Sequence, residues 1–205
     1  MFRSPDLVRL RSFVHKMLAS QGACSWVRLI DTQSMSPGFF GNIFLYVEWI
    51  APPKVAIGDV ILFSLPLSDL IIVHRVCRIN QIDGDNQILQ IADRLIKGDK
   101  LSGQWIPAEF ILGRVQAVRW GEAGSKVTPL TIGLPRIIGL WIAMLSSKYW
   151  EYYIFQSFQG QSGSIINSFF KKTLPALLVS FFHRIVLHIY ALVLRVFARS
   201  SVKII

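Results

Sequence analysis

A chain of 205 residues has room for one medium domain, or for a small domain with an appendage. Hydrophobic residues make up 52% against 17% charged, and the mean hydropathy is +0.45, so the chain fills a core and still has apolar surface to hide, which makes membrane contact the leading explanation. The net charge of +10 calls for an anionic partner, and because no acidic residue follows Glu151 in a stretch ruled by Leu, Ile, Val and Phe, a lipid surface fits that partner better than nucleic acid does.

In chain order, residues 1–25 read as an amphipathic helix, with Leu7, Leu10, Phe13, Val14 and Met17 on one side. Arg3, Arg9, Arg11 and Lys16 interrupt it, so it lacks the unbroken apolar core of a secretory signal peptide. From residue 26 to 120 the pattern changes to short apolar runs between turn residues. Expected strands are Trp26–Asp31, Ile43–Glu48, Val60–Ser64, Ile71–Ile79, Gln87–Ile91 and Leu112–Val118. No helical pattern separates them, which predicts a mainly β fold with a coiled antiparallel sheet rather than βαβ units. Cys24 and Cys77 have no C-x-x-C spacing and no clustered histidines, so they predict no metal site and read as buried free thiols.

A linker over residues 121–128 is expected to close the β domain. Residues 129–205 form an apolar, basic region predicted to be α-helical. Within it, Ser180, Arg184, His188, Ala191, Arg195 and Arg199 fall on one narrow stripe of a helix, with almost everything else apolar. That pattern suits a helix in the membrane interface, or one packed on another helix; the plain alternative is a helix docked on the β domain with its stripe in water. A spanning helix would hold Arg184 near its centre, which is costly without a partner.

The chemistry-bearing signal begins at Thr32-Gln33-Ser34-Met35-Ser36-Pro37. It is followed by Ile57-Gly58-Asp59-Val60, then Ile72-Val73-His74-Arg75-Val76, then Lys97-Gly98-Asp99, then Ile111-Leu112-Gly113-Arg114-Val115. In this order the motifs resemble the type I signal peptidase family, in the branch that uses histidine rather than lysine as base and includes archaeal, endoplasmic-reticulum and bacterial members. The likeness covers roughly residues 28 to 120, and the set is far more specific than any one string.

The resemblance implies a signal-peptidase-like β domain and a serine endopeptidase that removes signal or leader peptides from precursor proteins. Ser34 is the implied nucleophile and His74 its general base. A serine hydroxyl attacks well only when a base takes its proton, and imidazole, with an ordinary pKa of about 6.5, does so near neutrality. The Ser34 N–H and the Thr32 hydroxyl are the candidate oxyanion donors, with Met35 beside them at the substrate site. Asp99 matches the Gly-Asp of the family and is the candidate to orient His74, with Asp93 as a second; the further aspartate usual in the histidine branch has no counterpart in residues 100–106. Asn42 stands where the family often has an aspartate.

Read residue by residue, Ser34 also fits a plain turn before Ser36-Pro37-Gly38, and His74 a buried strand histidine held by a carbonyl. A competing function is therefore a weak or inactive homologue that binds a peptide or membrane partner along a sheet edge. A self-cleaving repressor is disfavoured, since His74 replaces the expected lysine and no helix-turn-helix pattern precedes Ser34. The expected partners are a precursor or leader peptide and membrane lipid, at the plasma membrane on a side that charge does not decide; no cofactor, metal or nucleic acid is called for, and no partner subunit can be named.

Overall fold

The computed structural model describes residues 23–29, 33–39, 41–49, 55–64, 71–82, 85–95, 102–121, 126–158 and 174–199. The expected N-terminal helix, Thr32 and Asp99 lie outside these residues, apart from the last three positions of the 1–25 segment.

The strands are β1 (Cys24–Leu29), β2 (Ile43–Trp49), β3 (Val60–Phe63), β4 (Ile72–Ile82), β5 (Asp85–Ile91), β6 (Gln104–Pro107), β7 (Ile111–Trp120) and β8 (Val127–Pro129). Every pairing is antiparallel, and the order across the sheet is β1-β2-β7-β3-β4-β5-β6, with β8 joining β7. Two helices follow, α1 (Gly133–Phe158) and α2 (Leu174–Arg199). The fold is thus mainly β, as its alternating and β-branched runs dictate.

Two differences from the expected elements have simple causes. Strand β6 holds Trp105 and ends at Pro107, four residues too short for a periodic signal. Strand β8 falls inside the expected linker: Val127 to Pro129 pair with Arg119 to Ala117, so the sheet continues past 126 before the helices begin. Cys24 and Cys77 are both free, but only Cys77 is buried; Cys24 lies on the outer side of an edge strand and is exposed.

The pleat of β3 divides the core in two. Val60 and Leu62 point to one face and Ile61 and Phe63 to the other, and all four are buried, which is why this strand shows no polar alternation. The first face, with Met35, Phe39, Ile43, Leu45 and Val73, is covered by Ile138 and Ile142 of α1 and Leu187, Tyr190 and Leu194 of α2. The second gathers Ile72, Val76, Ile88, Ile106 and Ile111 within the curl of the sheet. Pro135 sits in the first turn of α1, where its missing N–H breaks no helical bond.

The two helices run antiparallel. Ser146 Oγ and His183 Nε2 are hydrogen-bonded at 2.9 Å, while Gly139 and Tyr190, further along in opposite directions, both abut Arg75. Gly139 permits this approach, since a Cβ there would lie 2.8 Å from Arg75 Nη1. Helix α2 is long and apolar enough, over Pro175–Ala198, to cross a membrane.

Candidate active site

Ser34 lies in a 3₁₀ turn, Gln33–Met35, between β1 and β2. Met35, at 1% exposure, is buried in the first core, so its side chain anchors the turn from below rather than lining a surface. Phe39 is likewise core and meets Tyr190 edge-on at 6.4 Å. Between them the Phe39 N–H donates to the Met35 carbonyl at 3.0 Å, and Gly38 comes so close to Tyr190 that a Cβ would sit 3.1 Å from its ring. The turn is fixed from the other side too, because the Arg94 N–H donates to the Ser34 carbonyl at 2.8 Å. It is set beside β4, with Cα atoms within 8 Å.

His74 is on β4, opposite Ile61 of β3, and is 2% exposed. It faces the second core, where its ring lies 5.8 Å from that of Phe63. Its Nδ1 is hydrogen-bonded to Oε1 of Gln90, a fully buried residue of β5 on the same face. An amide oxygen only accepts, so this bond puts the proton on Nδ1 and leaves Nε2 as the basic nitrogen. Gln90 itself is held by the ladder, its carbonyl accepting from the Gly103 N–H at 2.8 Å.

Arg75, the next residue, points the opposite way, as strand alternation requires. Its Nε and Nη2 donate to the two carboxylate oxygens of Asp93, each at 2.7 Å, and Nη1 donates to the Gly58 carbonyl at 2.9 Å. The guanidinium lies 5.2 Å from the Tyr190 ring centroid. Both ions are almost wholly buried, at 2% and 0% exposure. Burial alone would lower the Arg75 pKa, yet Asp93 and Tyr190 override it and raise it above the ordinary value, so the guanidinium stays charged. Asp93, the second candidate to orient His74, is therefore committed to Arg75 on the other face.

The Gly58-Asp59 motif has a structural task. Asp59 Oδ1 accepts from Arg136 Nη1 of α1 at 2.6 Å, and Oδ2 accepts from the Ala56 N–H at 2.8 Å. Its backbone pairs with Val76, through Gly58 N–H to Val76 O and Val76 N–H to Asp59 O, both at 2.8 Å. Arg114 of β7 is shared between Glu48 at 2.7 Å and Asp59 at 3.8 Å. Burial, with Asp93 nearby, pushes the Cys77 thiol well above its ordinary pKa, so it remains an unreactive SH.

Among the described residues the turn of Ser34 is bonded to Arg94, Arg94 follows Asp93, and Asp93 holds Arg75 on the face of β4 opposite His74; Asp99 lies outside them. Sequence reasoning missed Gln90. Its signal was a lone amide in the apolar run Ile88-Leu89-Gln90-Ile91-Ala92, where a buried polar group needs a partner. Among the described residues no group of three or more His, Cys, Asp and Glu side chains gathers to hold a metal ion. In comparison with known proteins, no family model matches the chain and no curated protein matches it.

Proposed function

We propose that this chain is a membrane-associated serine endopeptidase of signal-peptidase type, with Ser34 as nucleophile and His74 as general base. The observation that carries the reading is the His74–Gln90 bond: an Nδ1 that donates to an amide oxygen supports Nε2 as the base, on the strand next to the serine's turn. In the proposed reaction Ser34 Oγ attacks the scissile carbonyl as Nε2 takes its proton. The imidazolium then protonates the leaving amine, and water repeats the sequence on the acyl-enzyme. The Ser34 N–H is the oxyanion donor. Its carbonyl accepts from the Arg94 N–H at 2.8 Å, which fixes the peptide plane that follows Ser34.

The second reading, a weak or inactive homologue that binds a peptide or membrane partner, draws on the same contact. Gln90 is neutral and orients imidazole without stabilising imidazolium as a carboxylate would. Cleavage of leader peptides bearing small residues before the scissile bond, in liposomes, separates the two. The peptidase reading expects turnover that drops by on the order of 1,000-fold or more in both Ser34→Ala and His74→Ala. Equal processing by wild type and Ser34→Ala removes Ser34 as the nucleophile, and no processing by either with retained peptide binding hands the function to the binding module.

A further inference from the structure

The outward side of the helical layer carries its own message. Along α2, His183, Leu187, Tyr190 and Leu194 face inward and are buried. The opposite arc, built from Phe181, Phe182, Ile185, Ile189, Leu192 and Val196, is exposed, with Leu192 at 61% and Phe181 at 59%. One edge of this arc is basic: Arg184, His188 and Arg195 are all exposed. The first three turns of α1 add Leu134, Ile137, Trp141 and Met144, also exposed and on the side away from the sheet.

A helix of this length and apolarity could span a bilayer, but its inner face argues against that here. Tyr190 is packed on the Arg75–Asp93 ion pair and on Gly38, and His183 is bonded to Ser146. Were α2 to cross the hydrocarbon, it would carry with it the sheet to which it is bound. That sheet and its contacts carry ionised side chains, such as the Arg114–Glu48 and Arg78–Glu151 pairs, and charges are costly in the hydrocarbon. An in-plane helix meets every constraint. Its apolar arc enters the acyl boundary by about 5–10 Å, and the Arg184 and Arg195 stems reach back along it to lipid phosphate. The charge chooses the occupant: a chain of net charge +10 repels a second copy and is drawn to an anionic leaflet.

We propose that α1 and α2 seat the protein on an anionic bilayer as an in-plane hairpin, with the outward arc of α2 in the acyl boundary, the Arg184–His188–Arg195 edge at the phosphates, and neither helix crossing. This rests on the membrane association proposed above and defines its geometry. The test uses the full chain with Cys24→Ser and nitroxide labels at Leu178→Cys, Ile185→Cys or Leu192→Cys, on phosphatidylcholine vesicles with and without phosphatidylserine. An in-plane helix gives three similar, shallow depths, and binding that strengthens with phosphatidylserine and weakens with salt. Arg184→Gln and Arg195→Gln should each weaken anionic binding by about fivefold. A depth profile deepest at Ile185 and shallow at both ends overturns the in-plane seat while leaving membrane association intact. No binding to either vesicle overturns both, and a salt-resistant dimer with its labels buried in protein assigns the surface to a second copy instead.

Discussion

His74 and Arg75 are neighbours in sequence, yet the two faces of β4 give them opposite surroundings. On the His74 side a neutral amide is hydrogen-bonded to the ring, beside Ile and Phe packing. On the Arg75 side a full ion pair is bonded to the Gly58 carbonyl, lies against Tyr190 of α2 and abuts Gly139 of α1. One face holds an imidazole by its Nδ1; the other ties loop, sheet and helices into one body. On the proposed function, changes at the first face should weigh on activity more than on structure, whereas changes at the second should lose both.

The largest effect is expected at the ionic face. Asp93→Ala leaves the Arg75 guanidinium buried and uncompensated, which costs about 3–5 kcal/mol in such pairs. Urea unfolding should report a loss of that size, whereas Asp93→Ala combined with Arg75→Met should recover much of it. A single Asp93→Ala variant as stable as wild type would mean that the pair does not hold the helices on the sheet.

At the other face, Gln90→Leu takes an acceptor from the buried His74 ring, at about 1–3 kcal/mol, and on the proposed function should lower kcat/KM by on the order of 100-fold, since a proton-transferring base would no longer be oriented. Gln90→Glu gives the readout that a merely structural role would not move. A carboxylate beside Nδ1 favours the imidazolium, so the acid limb of the pH–rate profile should shift to higher pH. An unmoved limb in an active Gln90→Glu enzyme would remove Gln90 as the positioning residue.

How much of this was legible beforehand follows from the range of each signal. Strands β1, β2, β4, β5 and β7 announced themselves through alternation and β-branched runs, β3 through an unbroken apolar run after turn residues, and α2 through its apolar length. Strands β6 and β8 were invisible because three or four residues carry no periodicity, and their pairing is decided by the neighbours they meet. Ser34 and His74 stood out as motifs, but the partner of His74 did not, because Gln90 reaches it across the ladder from β5 and no spacing rule encodes such a diagonal contact. The basic stripe on α2 read as continuous, yet Ala191 within it is buried, so the charged residues form an edge beside the exposed arc instead.

A smaller effect tests whether the ionic face is as closely packed as its glycine implies. Gly139→Ala would put a Cβ 2.8 Å from Arg75 Nη1 and 3.4 Å from the Gly58 carbonyl. Arg75 is clamped by Asp93 and cannot swing aside, so the helix must move, at about 2 kcal/mol. Thermal unfolding checks the loss; a neutral Gly139→Ala would show that α1 rides more loosely over β4 than the packing indicates.

The smallest effect concerns how the hairpin itself answers to acid. Burial pushes the His183 pKa down from its ordinary value to about 4, aided by Arg75 and Arg184 and opposed by Asp93. Above its unfolded value of about 6.5 both states are neutral and His183 contributes no pH dependence. As pH falls toward 4 the unfolded chain takes a proton that the folded chain refuses, so stability declines through this window, by on the order of 1 kcal/mol near pH 5.5. Carboxylates titrate nearby in pH, so the informative quantity is the difference from His183→Gln, which keeps an amide able to meet Ser146 but cannot titrate. Its melting temperature should fall less steeply than wild type between about pH 6.5 and 4. Parallel curves would mean that acid loosens the molecule through other groups, and would separate the helical hairpin from the pH response of the face it covers.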